Sequence, residues 1–96
     1  MTTETPALAH LMTCYFHQDW FDAGSEDDAI DLFLHDNPHL AALVTDEVER
    51  VLVHDDEAAA EKRVRSIGSD YDPRRVFGGY RSFLERIAER ARVRTA

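Results

Sequence analysis

Apolar side chains recur along this chain at intervals of three and four, the spacing that gathers them on one face of an α-helix. Leu8, Leu11, Met12, Tyr15 and Phe16 form the first such set. Thr5 followed by Pro6 is an N-cap and first-turn proline, so a helix is predicted from Pro6 to Phe16. The period lapses from His17 to Gly24, which reads as an ordered loop. Ser25 opens a second helix. Asp28, three residues on, makes a capping box with Asp in the usual Glu position, while Glu26 and Asp27 suit the positive helix N-terminus. Its predicted buried face is Ile30, Phe33 and Leu34. Asn37-Pro38 ends this helix and starts the next, because proline disfavours a helical residue before it. The third helix runs to about His54, with Leu40, Leu43, Val44, Val48, Val51 and Leu52 facing inward. Asp56 caps a fourth, with Ala59, Ala60, Val64 and Ile67 on its apolar side and Gly68 as its stop. Ser69 to Gly79 is a loop punctuated by Pro73 and Gly78-Gly79. A last helix, Tyr80 to Arg94, buries Phe83, Leu84, Ile87, Ala88 and Ala91.

No stretch alternates with the period of two that marks a strand, and no repeat or low-complexity tract occurs. The pattern predicts an all-α fold, a compact single-domain bundle of about five helices over residues 1–96. Composition agrees: 44% hydrophobic and 31% charged residues are ordinary for a globular chain. A domain of this size buries roughly two-thirds of its unfolded surface, enough for one core and too little for a deep substrate cleft. The first six residues lack the basic and apolar regions of a secretory signal, and no apolar run approaches the roughly 20 residues that span a bilayer. The single cysteine, Cys14, has no internal disulfide partner. These features predict a cytoplasmic protein that spans no membrane.

The charge is unevenly placed. Residues 1–61 hold 15 acidic side chains and one basic one, Arg50, for a charge of −14; residues 62–96 hold 4 acidic and 10 basic, for +6. The acidic part repels phosphate backbones and attracts basic surfaces. The arginines of the last third either pair with the acidic part or form a second surface.

Catalytic chemistry finds little to stand on. No serine lies in a glycine-flanked turn, no glycine-rich loop precedes a lysine, and Lys62 is the only lysine. His10, Cys14 and His17 have spacings that suit a metal or a thiol–imidazole pair, but Cys14 reads as a small core residue. His35 and His39 are four apart, with Asn37-Pro38 breaking the helix between them. Asp55, Asp56 and Glu57 read as a solvated helix start before a cation site. The expectation is no catalytic residue, no cofactor and no metal, in a monomer that binds another protein and not nucleic acid.

The most distinctive segment is Tyr15-Phe16-His17-Gln18-Asp19-Trp20, followed by Phe21 and Asp22. It gathers four of the nine aromatic side chains within seven residues at a helix exit. Such rings plug the end of a bundle, so Trp20 is expected to be substantially buried. At this motif the chain resembles the helical immunity proteins of contact-dependent growth inhibition systems, the CdiI type. The likeness continues through the acidic helix from Asp28 to Leu34, the Gly68/Tyr71/Pro73 turn and the Phe83-Leu84 pair. It covers nearly the whole chain, with Tyr15 to Trp20 as its specific part. Phe83 stands where the family pattern has Trp, and Arg74 and Arg75 depart from it in the Asp72–Gly79 loop.

The resemblance implies a cytosolic antitoxin that binds one toxin domain delivered by a neighbouring cell and covers its active site or substrate surface. Many such toxins are nucleases, and a carboxylate surface suits a cationic nucleic-acid site. On charge, the candidate contact residues are Asp19, Asp22, Glu26, Asp27, Asp28 (partly committed to capping) and Asp31, continuing to Asp46, Glu47 and Glu49. Asp27 and Asp31, four apart on one helix, are expected to repel each other until a cationic partner relieves them. The alternative is a general helical adaptor or regulatory domain that uses the basic last helix. Glu85 and Glu89 interleave among those arginines at spacings suited to pairing within the helix.

Overall fold

The computed structural model describes residues 5–16, 24–67 and 71–95. Six α-helices follow one another: α1 (Pro6–Tyr15), α2 (Glu26–Asp36), α3 (Ala41–His54), α4 (Glu57–Ser66), α5 (Arg74–Phe77) and α6 (Tyr80–Thr95). A 3-10 turn, Pro38–Leu40, leads from α2 into α3. There is no strand among the described residues, and the fold is all-α. Five helices match the predicted ones; α5 is a single turn inside the segment read as a loop. Its C-cap, Gly78, has φ +86°, a left-handed conformation that favours glycine.

The local start signals act as their chemistry predicts. The Ser25 hydroxyl accepts from the Asp28 amide at 3.2 Å, and the Asp28 carboxylate accepts from the Ser25 amide at 3.0 Å, completing the capping box. Asp56 accepts from the Ala59 amide at 2.9 Å. The Gly68 stop lies outside the described residues.

α6 is the central element. It packs most extensively along α3 and also touches α2, α4 and α5, while α1 lies across α2 and α3. Tyr80, Phe83, Leu84, Ile87, Ala88 and Ala91 of α6 are all buried, against Val44, Val48 and Val51 of α3, Ile30, Phe33 and Leu34 of α2, and Leu8, Leu11 and Met12 of α1. Leu43 departs from its predicted place. It lies on the outer flank of α3, exposed, because the face that meets α6 and α1 is centred on Val44, Glu47, Val48 and Val51. Cys14 departs as well: α1 buries Ala7, Leu8, Leu11 and Met12, a stripe that leaves Cys14 to one side and exposed.

Side chains from distant helices close the helix ends. Thr5 is the N-cap residue of α1, yet its side chain makes no capping bond. Glu47 of α3 takes that role, its carboxylate accepting the amides of Ala7 at 3.0 Å and Leu8 at 2.9 Å. Glu57 does the same for α6, accepting from Tyr80 at 2.6 Å and Arg81 at 3.1 Å. Gly79 makes room for it, since a Cβ there would lie 2.9 Å from both Glu57 oxygens. Arg81 in turn donates to the carbonyls of Leu52, at 2.9 Å, and Asp55, closing the C-terminus of α3.

Candidate partner-binding surface

Four aromatic rings join three separate parts of the sequence motif pattern. Phe16 packs on Tyr71 with ring centroids 4.9 Å apart and edge-on to Phe83 at 5.2 Å. Tyr71 and Phe77 lie 5.2 and 5.3 Å from Phe83. Phe16 is fully buried, so the second ring of the motif is core. Tyr15 stands at the rim: its hydroxyl donates to Asp36 at 2.9 Å and accepts from the Asn37 side chain at 3.2 Å. His17, Gln18, Asp19, Trp20 and Asp22 lie outside the described residues, and with them the expected burial of Trp20.

The acidic residues singled out on charge fall into distinct settings. Glu26 accepts from the Tyr71 hydroxyl at 2.9 Å. Burial, and this donation to a carboxylate, hold the Tyr71 hydroxyl protonated well above the ordinary tyrosine range. Asp27 receives a two-pronged bond from Arg86, at 2.9 and 2.6 Å, with Arg90 3.5 Å away. Asp31 receives the Arg90 guanidinium through Nε at 2.7 Å and through Nη2. The expected repulsion between Asp27 and Asp31 is therefore cancelled inside the molecule, because α6 aligns Arg86 and Arg90 with them at the same four-residue spacing. The Arg86–Glu89 contact, at 3.3 Å, runs within α6; the stronger bonds of Arg86 and Arg90 reach across to α2.

Glu47 is not on the surface. Its carboxylate is fully buried beneath α1, which removes it from any contact face. Asp46 meets Arg50 at 3.3 Å with both side chains more than half exposed, a pair that contributes little. Glu49 accepts from Arg92 at 2.7 Å, joining α3 to α6. Asp56 and Glu57 are exposed at the start of α4, as read from the sequence, with Asp56 capping that helix and Glu57 also capping α6, while Asp55 pairs with Arg63 at 2.7 Å.

These pairings predict acid sensitivity. Arg86 hydrogen bonds and nearby Arg90 hold the Asp27 carboxyl below its ordinary 3.8, Arg63 does the same for Asp55, and Arg74 draws Asp72 down to about 2. Each depressed group binds protons more weakly folded than unfolded. The stability it contributes is complete above roughly pH 4 and is lost as pH falls through the folded value. Thermal midpoints measured from pH 5 down to about 2 should fall steadily, with a shallower fall in Asp27→Asn; equal slopes in the two proteins would remove Asp27 from the explanation.

His10 Nδ1 lies 3.7 Å from the Cys14 sulfur. No third His, Cys, Asp or Glu joins them to form a metal-ligand group among the described residues. His35 and His39 are both exposed, on opposite sides of the Asn37-Pro38 junction. Charge reasoning passed over Leu32, which stands 44% exposed on the outside of α2 between Asp28 and Asp36. Its signal lay in the helical projection: Ile30, Phe33 and Leu34 point inward, and a residue two before Leu34 points away.

What the described surface offers is a set of helix faces with carboxylates at fixed positions, suited to non-covalent recognition. No helix among the described residues is long and apolar enough to cross a membrane. Searches of the curated proteins and of the solved structures each found no match. The family model described as CdiI immunity protein matches residues 4–91, from before α1 to the last turns of α6. The aromatic core that joins Phe16, Tyr71 and Phe83 draws together three of the four parts of the resemblance, and the chain belongs to the CdiI immunity protein family.

Proposed function

We propose that this chain neutralises a contact-dependent growth inhibition toxin domain by binding it non-covalently in the cytoplasm, without catalysis, and that the toxin is a nuclease. The observation that carries this reading is the family match over residues 4–91. The net charge of −8 supports the choice of toxin, because a nuclease presents cations to its substrate and an acidic protein both competes for them and associates faster. The internal pairing of Asp27, Asp31 and Glu49 lowers the charge density of the faces that hold them without altering that net surplus. Expressing the cognate toxin domain should arrest growth and degrade nucleic acid, and co-expression of this chain should restore both. Arrest that persists with this chain present at equal or greater level would overturn the immunity reading. Rescue of arrest by a toxin that leaves nucleic acid intact would overturn the nuclease assignment alone.

A further inference from the structure

We infer that the outer face of α2, centred on Leu32, is the surface that docks the partner, and that the partner presents lysine or arginine side chains around an apolar recess. This assignment rests on the immunity reading above and specifies the face that performs it.

The two sides of α2 differ in what faces them. Asp27 and Asp31 lie on the side that meets α6, where Arg86 and Arg90 neutralise them. Asp28, Leu32, His35 and Asp36 lie away from α6, and all four are exposed. The carboxylates of Asp28 and Asp36 have no cationic partner among the described residues. Asp28 is bound by the Ser25 amide and Asp36 by the Tyr15 hydroxyl, both uncharged donors. Each keeps free acceptor capacity toward solvent.

Between them, one helical turn from each, sits Leu32. The remaining exposed large hydrophobic residues occupy different settings. Val93 lies between Arg92 and Arg94, and Val76 follows Arg74 and Arg75. Leu43 and Val53 lie on α3, whose neighbouring Asp46 and Glu49 are paired with Arg50 and Arg92. Among the described residues, Leu32 is thus the exposed large apolar side chain that uncompensated carboxylates flank on both sides. An apolar anchor ringed by charge is the arrangement that concentrates binding energy, since the anchor fills a pocket while the rim excludes water.

Charge chooses the occupant. A second copy of this chain would bring Asp28 and Asp36 against their own counterparts, and nucleic acid would bring phosphates; both are repelled. A cationic protein surface satisfies the two carboxylates and takes Leu32 into its recess. Tyr15, the first residue of the aromatic motif, holds Asp36 in place from α1 and so ties this face to the family's most specific segment.

The test uses the full chain and the cognate toxin domain carrying an inactivating substitution, with binding followed by surface plasmon resonance. Leu32→Arg should weaken binding at least about tenfold while the control Val53→Arg on α3 changes it by less than about twofold. His35 is exposed and makes no bond that the fold depends on, so its variants report charge without unfolding. His35→Arg should weaken and His35→Glu should tighten binding, each by about threefold, and added salt should shrink both effects. Circular dichroism must show all four variants folded. Wild-type affinity in Leu32→Arg, equal losses in Leu32→Arg and Val53→Arg, or shifts of the same sign in the two His35 variants would overturn the assignment and leave the immunity reading standing. Failure of the unmodified chain to bind would overturn the immunity reading and this assignment together.

Discussion

Replacing Glu47 by alanine is expected to cost about 3–5 kcal/mol, a large part of the stability of a domain this size. The estimate follows from where the first-turn amides of α1 go. Pro6 has no N–H, and the Ala9 amide bonds the Thr5 carbonyl at 2.9 Å. Ala7 and Leu8 are left, both buried, and both donate to Glu47. Alanine strands the two donors away from water, at about 1–3 kcal/mol each, and leaves a void where the carboxylate lay. It also removes the side chain that joins α1 to α3. Glu47→Gln should lose less, about 2 kcal/mol, because its carbonyl still accepts one amide while its NH2 group faces the other donor. Urea unfolding of the three proteins measures the series. A loss below about 1 kcal/mol in Glu47→Ala would show that water or Thr5 replaces the carboxylate, and that α1 is not closed from α3.

Phe83→Ala is expected to be comparably damaging, by about 3–5 kcal/mol, with the thermal midpoint falling about 15 °C or more. Phe83 is fully buried on α6 and touches the rings of Phe16, Tyr71 and Phe77. Its loss opens a cavity at the point where α1, the segment before α5, α5 itself and α6 converge. The rings around it sit edge-on or tilted, arrangements that add about 0.5–1.5 kcal/mol per pair beyond the area buried. Phe77 is only partly buried, so Phe77→Ala should cost distinctly less. Differential scanning calorimetry distinguishes the two. Equal losses in both variants would mean that Phe83 is not the hub of the cluster.

The helices and most of their buried faces were legible in the residues themselves, because the signals that start and stop a helix act within about four positions. Ser25 and Asp28, Asp56, Pro6, and Asn37-Pro38 each mark an end through atoms of neighbouring residues. The period of three and four likewise identified every buried side chain of α6 except Tyr80, at its first position. The family, too, was visible in the Tyr15–Trp20 motif, a short and specific pattern. What carboxylates do was not legible. Asp27 and Arg86 are 59 positions apart, and Glu47 and Ala7 are 40 apart. Whether such groups meet depends on how far each helix is rotated when it docks, and no local spacing records that angle. A charged residue looks the same in sequence whether it caps a buried helix, as Glu47 does, or faces solvent, as Asp28 does. Cys14 and Leu43 illustrate the same point for apolar side chains: both sit at the edge of a helical stripe, where a small rotation of the helix decides burial. Local sequence chemistry determined where five of the six helices are and which family they form; only the docking of α6 against α2 and α3 decided which charges are paired inside the molecule.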